Sequence, residues 1–126
     1  MKETLISISI IIVIFCLDIM MQKYTEKVVS TMNNYINDLR TDIRDENYSK
    51  LDQNINDMND KWDKFKNVLS VYIEHDELEK VETYLAGYKS YVETHDKDMA
   101  LSDLDKTEFI LEHISNKYKF TIENII

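Results

Sequence analysis

Three histidines of this chain sit among acidic residues. In VYIEHDELEKVE (71–82), His75 is surrounded by Glu74, Asp76, Glu77 and Glu79; in FILEHI, Glu112 precedes His113; and THDKD (94–98) carries His95. Imidazole and carboxylate together are what a divalent metal site or an acid–base pair requires. The spacing argues against both. HDELE is not His-Glu-x-x-His, and no Glu-x-x-His occurs anywhere in the chain, so no two ligands share a helix face at a recognised interval. Each histidine falls where an apolar pattern stops. This predicts a helix C-terminus, where the negative end of the dipole favours imidazolium and the ring can bond free carbonyls. In an up-down bundle the helices ending at His75 and His113 would run the same way, leaving His95 at the other end. No metal and no cofactor is expected.

Nucleophilic catalysis fares no better. The single cysteine, Cys16, lies in an apolar run, there is no glycine-rich loop, and no serine–histidine pairing is suggested by spacing. The carboxylates follow polar helix faces, where solubility accounts for them. No catalytic residue is assigned and no enzyme is expected.

A second cluster concerns binding. Tyr84, Tyr88 and Tyr91 recur at i, i+4 and i+7, on one helix face. Such a face is either packed in a core or offered as an aromatic platform for a glycan or a partner helix. Gly87 lies among these tyrosines, where glycine costs about 1 kcal/mol relative to alanine. With Ala86 it makes a low spot that another helix can approach closely.

The elements that position these residues follow from composition and period. The chain has 126 residues, no proline and one glycine, so it is nearly all helix. Its net charge is −9 without a basic stripe, which speaks against nucleic-acid binding. Thr4 to Met21, TLISISIIIVIFCLDIMM, is apolar apart from Thr4, Ser7, Ser9 and Asp18. As a helix it is roughly 27 Å long, enough to cross a bilayer core. Large residues follow the run, so a cleaved signal peptide is not expected. Being apolar all round, the run does not read as one stripe of a soluble bundle. Asp18, about one turn from its end, is either reached by headgroup water or makes an intramembrane contact with another helix. Lys2 ahead of the run suits an N-terminus inside and a domain outside the cytoplasm, although Lys23 and Lys27 behind it pull the other way.

Beyond the run, four apolar stripes recur at spacings of three and four. The first is Met21, Tyr24, Val28, Met32, Tyr35, Leu39 and Ile43, an eleven-residue rhythm that predicts a helix continuing straight out of the anchor. The second, Tyr48 through Trp62 to Tyr72, is a heptad seam. The third holds Leu78, Val81, Leu85, Tyr88 and Val92; the fourth holds Leu101, Leu104, Leu111 and Ile114, with Ala100 and Ile110 beside it. Short polar breaks at 44–47, 74–77 and 94–98 predict antiparallel neighbours, with Asp76 or Asp98 capping a helix start. The tail KYKFTIENII is expected to fold back, its Phe120, Ile122, Ile125 and Ile126 plugging the core or meeting a partner. The fold class is therefore all-α: an N-terminal membrane anchor (1–21) whose helix continues into an acidic antiparallel bundle of about four helices (22–126).

The segment WDKFKNVLSVYIEHDELEKVETYLAGYKSYVETHDKDMALSDLDKTEFILEHI, followed by FTIENII, resembles the domain-of-unknown-function 4363 family, short membrane-anchored helical proteins of spore-forming Gram-positive bacteria. Trp62, HDELE (75–79), YVETHDKDMAL (91–101), LEHI (111–114) and the terminal ENII carry the likeness, which covers nearly the whole chain. It departs where the family has Leu-Lys ahead of the run ending in LEHI; here the residues are KTEFILEHI. The resemblance implies no activity, cofactor or catalytic residues. Members often encoded beside a multi-pass membrane protein imply an accessory subunit. The expectation is a single-pass cell-membrane protein, held in the bilayer through residues 4–21, whose partner is another membrane protein or a second copy of itself. The competing expectation is an extracytoplasmic ligand- or cell-wall-binding module using Tyr84, Gly87, Tyr88 and Tyr91.

Overall fold

A computed structural model describes the backbone of residues 1–125 and the side chains of residues 1–119. The described residues form four helices: α1, Lys2–Arg44; α2, Tyr48–Leu69; α3, His75–Glu93; and α4, Lys97–Ile125. No strand occurs among the described residues. α1 is unbroken over 43 residues, so the apolar run and the first bundle stripe are one rod, as the eleven-residue rhythm predicts. From Leu5 to Met20 its apolar side chains stand exposed, and none is buried in the bundle. Burial on α1 begins at Thr25.

Short connections make successive helices antiparallel. α1 lies between α2 and α4, α3 packs mainly on α4, and α2 only grazes α3. The stripes meet in one core: Val28, Met32, Ile36 and Leu39 from α1; Leu51, Ile55, Met58 and Trp62 from α2; Leu78, Val81 and Tyr88 from α3; Leu104, Leu111 and Ile114 from α4. Each buried aliphatic side chain contributes about 1.5–3 kcal/mol by leaving water. Thr107, 0 % exposed, fills the gap in the fourth stripe. Its hydroxyl donates back to the Asp103 carbonyl at 2.8 Å, which makes a polar group tolerable there.

Two connections share one device. After α1, the amide of Glu46 donates to the Ile43 carbonyl and that of Asn47 to Asp42; after α3, His95 donates to Val92 and Asp96 to Tyr91. This paired closure needs a left-handed residue, normally glycine. Here Glu46 (φ 55°) and His95 (φ 59°) take that position. The cap of α4 is Asp96, whose carboxylate accepts the Met99 amide at 3.2 Å. The expected caps Asp76 and Asp98 lie instead inside first helical turns, where a negative charge meets the positive end of the dipole.

Two expectations are corrected. The second break falls at residues 70–74, not 74–77, because Tyr72 and Ile73 keep the apolar rhythm after the helix has ended at Leu69. The tail does not fold back: the backbone stays helical through Ile125. The side chains of Phe120, Ile122, Ile125 and Ile126 lie outside the described residues.

Candidate functional site

The end of the bundle nearest the apolar run is knitted by polar groups from α1, α3, α4 and the α2–α3 connection. Tyr72, in the α2–α3 connection, places its hydroxyl 2.7 Å from Thr25 Oγ1 and 3.2 Å from the Met21 carbonyl oxygen, to which it donates. Thr25 also donates to Met21 at 2.8 Å. Tyr118 of α4 sets its ring edge-on to Tyr72, with centroids 6.0 Å apart, and its hydroxyl accepts the Glu74 amide at 3.2 Å. Tyr24 and Phe65 make a second edge-on pair at 6.2 Å. Burial pushes the Tyr72 phenol up, and the Thr25 bond partly opposes this.

Glu77, in the first turn of α3, is buried beside this network. Its Oε1 accepts from Lys117 Nζ at 3.2 Å and lies 3.4 Å from His113 Nε2. Its Oε2 is buried with no hydrogen-bond partner among the described residues. Lys117 also reaches Glu74 at 3.3 Å, and the bonds to Glu77 and Glu74 hold its ammonium above the usual lysine range. The arrangement neutralises a buried carboxylate where three elements meet.

The histidines do not converge. His75 opens α3 rather than closing α2, is exposed, and sets Nε2 2.9 Å from Glu79 one turn on. His113 stands inside α4 rather than at its end, because that helix continues through the polar SNKYK stretch. His95 does lie just past α3, but it supplies a left-handed backbone and an edge-on ring contact to Tyr48 at 5.3 Å. His75 and His113 share one end of the bundle and face different carboxylates. Among the described residues, no three histidine, cysteine or carboxylate side chains are grouped to hold a metal ion.

The tyrosine face is turned inward. Tyr88 is 0 % exposed, so its ring is core and not surface. Its hydroxyl has no hydrogen-bond partner among the described residues, and burial, then the charges of Asp42 and Asp52, push its pKa up. Tyr84 and Tyr91 are half-buried; Lys106 Nζ stands 5.7 Å from the centre of the Tyr84 ring. Tyr91 borders a small pocket between the α1–α2 and α3–α4 connections, with Ile43, Tyr48 and His95. Gly87 is indeed a low spot, and the helix that approaches it is α4: a Cβ there would collide with the Asp103 carboxylate.

Two further polar residues carry weight that the sequence did not announce. Arg40 of α1 donates to Asp105 at 2.6 Å and to Glu108, with Asn37 accepting a third bond at 2.9 Å. Burial alone would lower its pKa, but the two carboxylates raise it. Asp42 is buried and accepts from Asn54 Nδ2 at 2.6 Å, linking α1 to α2. Asp42 and Glu77 each neighbour a stripe member, Ile43 and Leu78, but so do many exposed polar residues, so that position alone did not single them out. Asp18, by contrast, is partly exposed and has no hydrogen-bond or ion-pair partner among the described residues.

In comparison with known proteins, residues 19–125 match the family described as Domain of unknown function (DUF4363). No curated protein and no solved structure matches. The matched span begins within the last turn of the apolar run and takes in the bundle half of α1 with α2, α3 and α4. With that span covering most of its length, the chain belongs to the DUF4363 family of domains of unknown function.

Proposed function

We propose that the protein is a non-enzymatic interaction or accessory module for another membrane protein, held in the cell membrane by a single pass through residues 4–21. The observation that carries this reading is the first half of α1. One helix is long and apolar enough to cross a membrane, and none of its apolar window is buried in the bundle. Apolar surface left in water costs about 25 cal/mol per Å², so an uncovered run of this length calls for a lipid or protein environment. α1 then passes rigidly from the bilayer into the core, and the Tyr72–Thr25–Met21 network sits at the membrane-facing end of the bundle. Val71, 82 % exposed in the same connection, places apolar surface at that level. The orientation with the domain outside the cytoplasm rests on Lys2 ahead of the run.

The test has three arms. Washing membranes with alkaline carbonate is expected to leave the chain in the pellet; release into the wash would overturn the anchor. Protease added to intact protoplasts is expected to digest the domain; protection until lysis would reverse the topology. Isolation in mild detergent is expected to bring down one membrane protein in fixed ratio, and recovery as monomer alone would contradict the accessory role.

A further inference from the structure

The face that α1 turns into the bundle core does not stop where the bundle stops. Going back along the helix from Ile43, the core face holds Leu39, Ile36, Met32 and Thr25. Continued at the same alternation of three and four, it meets Asp18, Ile14, Ile11 and Ser7. At about 100° per residue these side chains all fall within roughly 40° of one line. Three of the four polar residues in the apolar run, Thr4, Ser7 and Asp18, lie on or beside this line, and Ser9 alone lies opposite. The apolar run thus has two sides: one continuous with the bundle core and bearing a carboxyl group, and one of Leu5, Ile12, Cys16 and Met20 with Ser9 alone among them.

Ser7 is satisfied locally, its hydroxyl donating to the Glu3 carbonyl at 3.0 Å. Asp18 has no such bond among the described residues. A carboxyl group with no partner at the edge of hydrocarbon is costly, and polar residues in spans face protein or water rather than lipid. On α1, the side that bears Asp18 is the one continuous with the face buried in the bundle from Thr25 onward. We infer that the Ser7–Ile11–Ile14–Asp18 face of α1 is the docking seam for a transmembrane helix of a different protein, which presents a hydrogen-bond donor or cation to Asp18. A second copy of this chain is the poorer occupant, because at the depth of Asp18 it brings only another carboxyl group. This inference rests on the membrane-anchor reading and names the partner surface within it.

The experiment uses the full chain in native membranes with a photo-crosslinking residue at Ile11 or Ile14, and at Ile12 or Met20 as opposite-side controls. Ile11 and Ile14 are expected to give one adduct larger than the chain by the mass of a different protein. Ile12 and Met20 are expected to give at least five-fold less, and Asp18→Leu should reduce the Ile11 adduct by a similar factor. In vesicles of phosphatidylcholine, the purified chain should pair with a polyleucine transmembrane peptide carrying one lysine near its end more than with the all-leucine peptide, and Asp18→Leu should abolish the difference. Equal labelling from both sides, an adduct of twice the chain mass, or indifference to Asp18→Leu would each overturn the seam. Extraction of the chain by carbonate would overturn the anchor itself, which is a separate result.

Discussion

The hydroxyls of Thr25 and Tyr72 meet at 2.7 Å across 47 residues of sequence. This contact fastens the α2–α3 connection to the point where α1 enters the bundle, and Tyr72 adds a second bond to the Met21 carbonyl. Tyr72→Phe removes one hydroxyl, whose single proton is shared between Thr25 and Met21, but strands no donor, because Thr25 keeps its own bond to Met21. The expected loss is therefore modest, about 1 kcal/mol. Unfolding of the full chain in detergent by urea measures it; a loss above about 3 kcal/mol would mean that the connection depends on Tyr72 for more than these bonds.

Gly87 and Asp103 should be coupled. Gly87→Ala gains about 1 kcal/mol of helix propensity, yet its methyl group meets the buried Asp103 carboxylate. The single change should gain less than this, because the carboxylate must turn aside, whereas in an Asp103→Ala background the same change should show the full gain. A double-mutant cycle reads the difference directly, with an expected coupling of up to about 1 kcal/mol. Additive effects would mean that α4 does not approach α3 at this point.

Tyr88 supplies a pH dependence whose sign is fixed. Burial, then Asp42 and Asp52, raise its pKa in the folded state. An unfolded tyrosine ionises at about pH 10. The folded chain therefore keeps a proton that the unfolded chain loses, so this contribution is complete below about pH 10 and falls away as the pH rises further. Tyr88→Phe should flatten that alkaline limb. Since the hydroxyl has no partner among the described residues, the substitution should be neutral or stabilising by about 1 kcal/mol at pH 7. A strong destabilisation at neutral pH would show that the hydroxyl is bonded after all.

Much of the bundle was legible because its stripes keep a strict rhythm of three and four. Trp62, read as core from its place between Met58 and Phe65, is 2 % exposed. The breaks were harder. Tyr72 and Ile73 continue the apolar rhythm of α2 while no longer belonging to it, and this displaced His75 from a helix end to a helix start. The polar core was not readable from local pattern. Glu77 finds Lys117 40 residues away and Arg40 finds Asp105 65 residues away, so their partners exist only once the helices are docked.

The left-handed turns offer a gain in stability. Glu46 holds φ 55° where glycine carries no steric penalty. Glu46→Gly should raise stability by about 0.5–1 kcal/mol, seen as a higher melting temperature. His95→Gly should gain less, since it also gives up the ring contact with Tyr48. If Glu46→Gly destabilises, the paired closure after α1 is not the conformation in solution.

The native thiol tests the membrane anchor most directly. Cys16 is the single cysteine, is exposed on the apolar half of α1, and is available to a maleimide wherever water reaches it. If residues 4–21 span the bilayer, Cys16 in intact membranes should resist a maleimide reagent and react fully once the membrane is dissolved in SDS, while a cysteine placed at Lys61 on exposed α2 reacts in both conditions. Labelling of Cys16 in intact membranes as fast as the Lys61→Cys control would contradict the anchor.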